Sequence, residues 1–352
     1  MKETMTGKER WLAVLQRKSP DRIPMDYWST PEVDEKLKKH FGCAEMEEVF
    51  KRLRIDRPLG VGPEYVGPKV PEGFDIYGCQ RRTVDYGTGS YQECVSHPLA
   101  EFTSTAEIEQ KYAWPSIDHY DFSAVKRQVA GKDDRPVVGG GSEPFLTYKQ
   151  LRGDIQAFVD LVENPEIIEY CLGKLFGFQY ELTRRIYEAI PGKVDISYVA
   201  EDLGAQEGLM YSPDQIRRFF LPWMKRMMEL VHQGDGFVFF HSDGSIRKII
   251  PEMIATGVDI LNPIQWRCKG MEKEGLKKDF GGELIFHGGV DNQQILPFGT
   301  AAEVRAEVIE DIEIFGKGGG YILAPCHNIQ PVTPVENIVA MYETGYEYGW
   351  VE

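Results

Sequence analysis

The chain has 352 residues, of which 42% are hydrophobic, and a formal net charge of −15. That balance excludes nucleic acid and anionic membrane surfaces as general partners, while the apolar fraction suffices for a full core. No apolar run approaches the ~20 residues of a membrane span, and Met1-Lys2-Glu3-Thr4-Met5 lacks the apolar core of a secretory signal, so a soluble cytoplasmic protein is expected.

Residues 6–18 predict an amphipathic helix with Trp11, Leu12, Val14 and Leu15 as its apolar stripe. A short strand is expected at 23–28, then helices at 31–40 and 44–53, then a strand near 57–61. From about 58 to 130 the pattern turns to Gly/Pro turns and β-rich pieces such as Arg82-Thr83-Val84-Asp85-Tyr86, an irregular excursion carrying a hairpin. After Arg135 a regular alternation sets in. Strands are expected at 136–139, 195–200, 237–240, 259–261, 284–287 and 321–324. Helices are expected over much of 145–190 and at 212–232, 246–255, 271–280, 301–315 and 334–348. Ser212-Pro213-Asp214 opens one of them, with Ser as cap and Pro in the first turn.

Sustained β-α alternation implies a parallel sheet with helical crossovers. Eight candidate strands close a barrel. A doubly wound sheet would show a glycine-rich turn after its first strand, and Tyr27-Trp28-Ser29-Thr30-Pro31 has none. The expected fold is a single (β/α)8 TIM barrel over residues 1–352, with N-terminal helices and the irregular insertion.

Barrel chemistry sits at the C-terminal ends of strands. Here those ends read Asp26-Tyr27-Trp28, Gly140-Gly141-Ser142-Glu143, Glu201-Asp202, His241-Ser242-Asp243, Asn262-Pro263-Ile264-Gln265, His287-Gly288-Gly289-Val290-Asp291 and Cys326-His327-Asn328. Each has an ordinary structural reading, as a helix cap, a turn or a packing residue. His241 and Asp243 share one face of an extended chain. Glu201, His241, Asp243 and Cys326 come from three strands that one barrel mouth would gather, and they offer the nitrogen, oxygen and sulfur donors that bind zinc. The six cysteines are otherwise too scattered for a disulfide framework or a zinc ribbon.

Together, Glu201-Asp202-Leu203-Gly204, Phe240-His241-Ser242-Asp243-Gly244, Gly257-Val258-Asp259-Ile260-Leu261-Asn262, His287-Gly288-Gly289-Val290-Asp291, Pro325-Cys326-His327-Asn328-Ile329-Gln330 and Pro334-Val335-Glu336-Asn337 resemble the uroporphyrinogen decarboxylase superfamily. Lys8-Glu9-Arg10 and Pro20-Asp21-Arg22-Ile23-Pro24 fit as well, so the resemblance spans nearly the whole chain. It implies a TIM barrel and one of two chemistries. The decarboxylases work without cofactor and grip a polycarboxylate tetrapyrrole with N-terminal arginines. The matching segment here, Ile23-Pro24-Met25-Asp26-Tyr27-Trp28, has none, which disfavours that branch.

The other branch holds corrinoid-linked methyltransferases, with zinc on a His-x-Cys pair and a distant Cys. His241 and Cys326 match that pattern, and Asp243 stands where the near cysteine would be. That departure leaves two readings of the resemblance: zinc held by His241, Asp243, Cys326 and Glu201, or a site that binds zinc weakly or not at all. A carboxylate in place of a thiolate makes a harder site, suited to oxygen. The expectation is a methyltransferase that moves methyl from a small O-methylated, methoxyaromatic-like donor to the cobalt of a separate corrinoid protein. That partner supplies the cobalamin, because the chain contains no Asp-x-His-x-x-Gly corrinoid signature. Glu201, Asp202 and His327 are candidates for hydrogen bonding or proton delivery. Tyr27, Trp28, Phe145, Tyr211, Gln265, Trp266 and Asn328 are candidates for the substrate wall. A metal-free lyase, a non-catalytic binder, and methyl transfer from corrinoid to a thiol or folate stay open, as does a homodimer.

Overall fold

In the computed structural model, which describes residues 2–351, Thr6 opens helix α1 (Gly7–Leu15) with a capping box. Its hydroxyl accepts from the Glu9 amide, and the Glu9 carboxylate accepts from the Thr6 amide. Trp11, Val14 and Leu15 turn inward and pack on Ile196, Phe239, Ile260, Ile285 and Ile322. The helix thus plugs the end of the sheet where its strands begin, and chemistry is left to the other end.

Seven strands form one parallel sheet: β1 (Leu59–Val61), β2 (Val137–Ser142), β3 (Ile196–Ala200), β4 (Phe237–His241), β5 (Ile260–Asn262), β6 (Ile285–Val290) and β7 (Tyr321–Pro325). They pair in chain order, which is the order of a curling, TIM-barrel-like sheet. A doubly wound sheet reverses its order partway. β4, β6 and β7 are buried along most or all of their length, as strands covered on both sides must be. Between β2 and β3 the crossover is three helices, Pro144–Arg152, Asp154–Glu163 and Pro165–Ala189.

The expected strand at 23–28 is not a ladder strand. It is tied to β7 by one bridge, Met25 to Leu323, in which the Asp26 amide donates to the Leu323 carbonyl and the Leu323 amide to Pro24. Pro24 has no amide to continue the pairing. On its other side, the Asp56 amide donates to the Met25 carbonyl at 2.7 Å. An irregular segment therefore spans the gap between β7 and the approach to β1.

Asp56 latches that segment. Its buried carboxylate accepts from Arg10 Nη1 at 2.6 Å, Arg22 Nη1 at 2.7 Å and the Met25 amide at 3.0 Å, while its carbonyl accepts from Trp11 Nε1 at 2.9 Å. One side chain thus joins α1, the spanning segment and the lead into β1. The excursion holds two small antiparallel sheets, Glu64–Tyr65 with Tyr120–Asp121 and the hairpin Gln80–Asp85 with Ser90–Ser96. Among the described residues no helix is long and apolar enough to cross a membrane.

Removing one partner of a buried, paired charge leaves the others uncompensated. Asp56→Ala is expected to lower the free energy of unfolding by about 3–5 kcal/mol, read from urea denaturation. A loss below about 1 kcal/mol would remove its role as a latch.

Candidate active site

β4 ends in His241, which is paired in register with Asn262 of β5. The loops that follow β3 and β4 then touch. A Cβ on Gly204 would lie 2.6 Å from the Asp243 carbonyl oxygen, and one on Gly244, at φ +83°, would lie 2.5 Å from Gly204. Only glycine at both positions allows that approach. Asp202 Oδ1 accepts from the Asp243 amide at 3.1 Å, and Ser242 Oγ accepts from the Leu203 amide at 2.9 Å. Gln265 completes the clamp: its Nε2 donates to Asp243 Oδ1 at 2.9 Å, and its Oε1 accepts from the Gly244 amide at 2.7 Å.

The result is a cluster of His241, Asp243 and His327, whose donor atoms all lie within 4.8 Å of one another. His241 Nε2 stands 3.9 Å from Asp243 Oδ1. Burial pushes the Asp243 carboxyl up, although His241 and His327 pull against it. Burial also lowers His327, which favours the uncharged ring that a metal needs. Two imidazole nitrogens and a carboxylate oxygen on three protein side chains are the donor set of a catalytic zinc site, with one position left for substrate. These residues fit a zinc ion.

The surroundings are acidic. Glu143, at the end of β2, is pushed up to about 7 by burial and by the charges of Asp202 and Asp243. Glu201 is fully buried and raised well above the usual carboxyl range, while one of its oxygens accepts from the Phe145 amide at 2.9 Å. Among the described residues no lysine or arginine forms a salt bridge with Asp243, Asp202 or Glu143. A cluster of this kind takes up cations or protons.

Beside the cluster lies a cavity of about 320 Å³ whose walls include Trp28, Tyr198, Phe239, Asp26, Asn328 and Arg57. Trp28 stacks on the His241 ring at 5.9 Å and Tyr198 approaches it at 5.5 Å, so the cavity and the cluster share a wall. Tyr27 lines the same cavity, with its hydroxyl donating to Asp34.

The other expected residues fall elsewhere. Phe145 and Tyr211 pack on each other at 5.8 Å in a buried aromatic group outside this cavity. Trp266 Nε1 donates to Glu307 at 3.1 Å, and Gln265 serves the Asp243 loop. The four residues His241, Asp243, Cys326 and Glu201 do not assemble into one donor set. Cys326 Sγ is buried and donates to the Ile264 carbonyl at 3.0 Å, burial pushes its thiol up, and the next residue, His327, takes the third place. The sequence marked Asn262 and Glu143 only as polar strand ends without a role, and it did not single out Tyr198. Period-two alternation along β3 and β5 carries the signal for Tyr198 and Asn262.

Comparisons with known proteins bear on this geometry. A family model described as uroporphyrinogen decarboxylase (URO-D) matches residues 83–348. The methylcobamide:CoM methyltransferase MtaA of Methanosarcina barkeri is 24% identical, covering 97% of this chain and 98% of its own. A uroporphyrinogen decarboxylase of Coxiella burnetii is 23% identical over 68% of this chain and 66% of its own. A solved methyltransferase from Methanosarcina mazei superposes with a TM-score of 0.68 at 20% identity, over 98% of this chain and 99% of its own, and shares the fold.

Glu143 gives a pH prediction. Its carboxyl is raised in the folded state, so the stability it contributes is present below about pH 4.5 and lost as pH rises through about 7. In metal-free protein, Glu143→Gln is expected to gain stability relative to the parent across that window, by roughly 3 kcal/mol at most. Thermal unfolding at pH 4.5 and pH 8 measures it, and an equal gap at both would remove the assigned shift.

Proposed function

The chain belongs to the uroporphyrinogen decarboxylase family, and we propose that within it this protein moves a methyl group from a small O-methylated substrate to the cobalt of a separate corrinoid protein. One observation carries the reading: two imidazoles and a carboxylate converge beside an aromatic-walled cavity of about 320 Å³. The near-complete coverage shared with a methylcobamide:CoM methyltransferase supports corrinoid-linked methyl transfer, while the donor-side direction rests on the nitrogen-and-oxygen donor set.

The chain's own residues have distinct roles in this proposal. His241, Asp243 and His327 hold a zinc ion. When bound, zinc supplies Lewis acidity, and its nitrogen-and-oxygen donor set suits an ether oxygen better than a thiolate-rich one would. Trp28, Tyr198 and Phe239 flank a flat substrate and keep water from its ring. Glu143, half protonated near neutral pH, holds the proton that the departing oxygen requires. Asp202 and Gln265 position Asp243. Glu201 holds the start of the helix at Phe145 rather than the metal.

A tetrapyrrole polycarboxylate does not suit this cavity. Arg57 is the one arginine among its lining residues, against Asp26 and Asp34. Anionic side groups need cationic partners.

The purified protein is expected to carry one zinc per chain by elemental analysis and to transfer methyl from a methoxylated aromatic to cob(I)alamin, followed by the visible spectrum of the corrinoid. His241→Ala and His327→Ala should each lose the metal and slow transfer by about 100-fold or more. Zinc-free protein with undiminished turnover would overturn the reading. So would methylation of a thiol from methylcobalamin with no activity on O-methyl donors.

A further inference from the structure

Inside the barrel five polar side chains form one unbroken hydrogen-bonded chain: Trp28, Asp26, His287, Asn262 and His241. Trp28 Nε1 donates to Asp26 Oδ2 at 2.9 Å, and His287 Nε2 meets the same oxygen at 3.0 Å. Asn262 Nδ2 lies 2.8 Å from His287 Nδ1, and Asn262 Oδ1 lies 2.6 Å from His241 Nδ1. Asn262 and His287 are completely buried, so no solvent interrupts the chain. Trp28 at 5.7 Å and Phe239 at 4.9 Å hold the His287 ring in place.

The chain has a direction. Asp26 presents acceptors, and its other oxygen is taken by the Tyr27 amide at 2.8 Å. His287 must therefore donate from Nε2, which leaves its Nδ1 as an acceptor. Asn262 must present its amide nitrogen there. A second contact agrees: Asn262 Nδ2 is 3.4 Å from the His287 carbonyl, which can only accept. A second proton on His287 would face the Asn262 N–H, and turning the amide over would set oxygen against oxygen. With Nδ2 committed, Asn262 Oδ1 accepts, and the proton of His241 sits on Nδ1. Its Nε2 lone pair is bare, on the side of Asp243 and His327.

We propose that Asp26 is a positioning residue: acting through His287 and Asn262, it sets His241 in the tautomer that offers Nε2 to the cluster. This deepens the proposed function and rests on it for the metal, though not for the tautomer. Trp28 also joins Asp26 to His241, by stacking on its ring, but only the path through His287 and Asn262 ends on a ring nitrogen of His241. Partners that orient a ligating histidine are worth about 10–100-fold in metal affinity.

Nitrogen-15 NMR of histidine-labelled protein, with His241 assigned by the signal lost in His241→Gln, reads the tautomer directly. The parent protein, zinc-free, is expected to show His241 protonated at Nδ1. In Asp26→Asn the new amide can donate to His287 Nε2 and release the direction of the chain. His241 should then gain Nε2–H character, and zinc affinity measured by competition with a chelator should fall about 10–100-fold. Asn262→Asp keeps an acceptor for His241 Nδ1–H and should keep the tautomer. An Nε2–H pattern in the parent overturns the proposal. So does an unchanged His241 pattern in Asp26→Asn that circular dichroism shows to be folded. If that variant does not fold, the parent spectrum and Asn262→Asp decide. An Nδ1–H tautomer in a protein without zinc affinity would retain this inference and overturn the proposed function. Zinc binding with an indifferent tautomer would do the reverse.

Discussion

Everything in the site depends on the parallel register of β4, β5 and β6. His241 is paired with Asn262, and Leu261 with Phe286, so Asn262 and His287 are also neighbours. Side chains on a strand alternate sides with a period of two, so all three point into the barrel at one level. A slip of one residue would turn each of them outward and replace the polar layer with Phe240, Leu261 and Phe286. The same layer is reached from the far side by Asp26 and Trp28, on the segment that Asp56 holds against α1. Latch, register and polar layer form one mechanical unit.

Charge burial explains why the site sits where it does. Deeper in the fold, Lys273 meets Asp311 and Glu310 at 2.7 Å each, and Glu307 at 3.8 Å, so that acidic group carries its own counter-charge. At the mouth, Asp243, Asp202 and Glu143 form no salt bridge with a lysine or arginine among the described residues; Asp243 has the two histidines and Gln265, and Lys149 acts on Glu143 only from a distance. Burial raises the proton affinity of Glu143 and Asp243, although Lys149 pulls against it at Glu143 and the two histidines at Asp243. The fold keeps this group poised by backbone clamps, namely the Gly204–Gly244 contact and the two hydrogen bonds of Gln265. These cost little charge, and Trp28 and Tyr198 stand between the cluster and the aromatic cavity.

Much of the fold was legible in the chain itself. Strand positions followed from apolar runs with polar ends, the first helix from its apolar stripe, and one later helix start from the capping residue Ser212. The segment at 23–28 was apolar enough to read as a strand. Its failure to join the ladder comes from Pro24 and from a pairing limited to one bridge with β7. In the site, His241 with Asp243 was readable because a two-residue spacing at a strand end is a local property. The choice of His327 over Cys326 was not. It turns on how one backbone exit from β7 aims two consecutive side chains, and on a carbonyl at Ile264 that takes the thiol.

The sequence by itself determined the alternation of strands and helices, the strand ends where chemistry collects, and the pairing of His241 with Asp243, because each is set by residues adjacent in the chain. Only the tertiary structure decided which distant residues complete the cluster, and that Asp26, Asn262 and His287 line up behind His241. Those four come from separate strands and segments. Hydrogen bonds among them depend on register and on how the curled sheet and the 23–28 segment come together, which propensity and spacing along one chain do not encode.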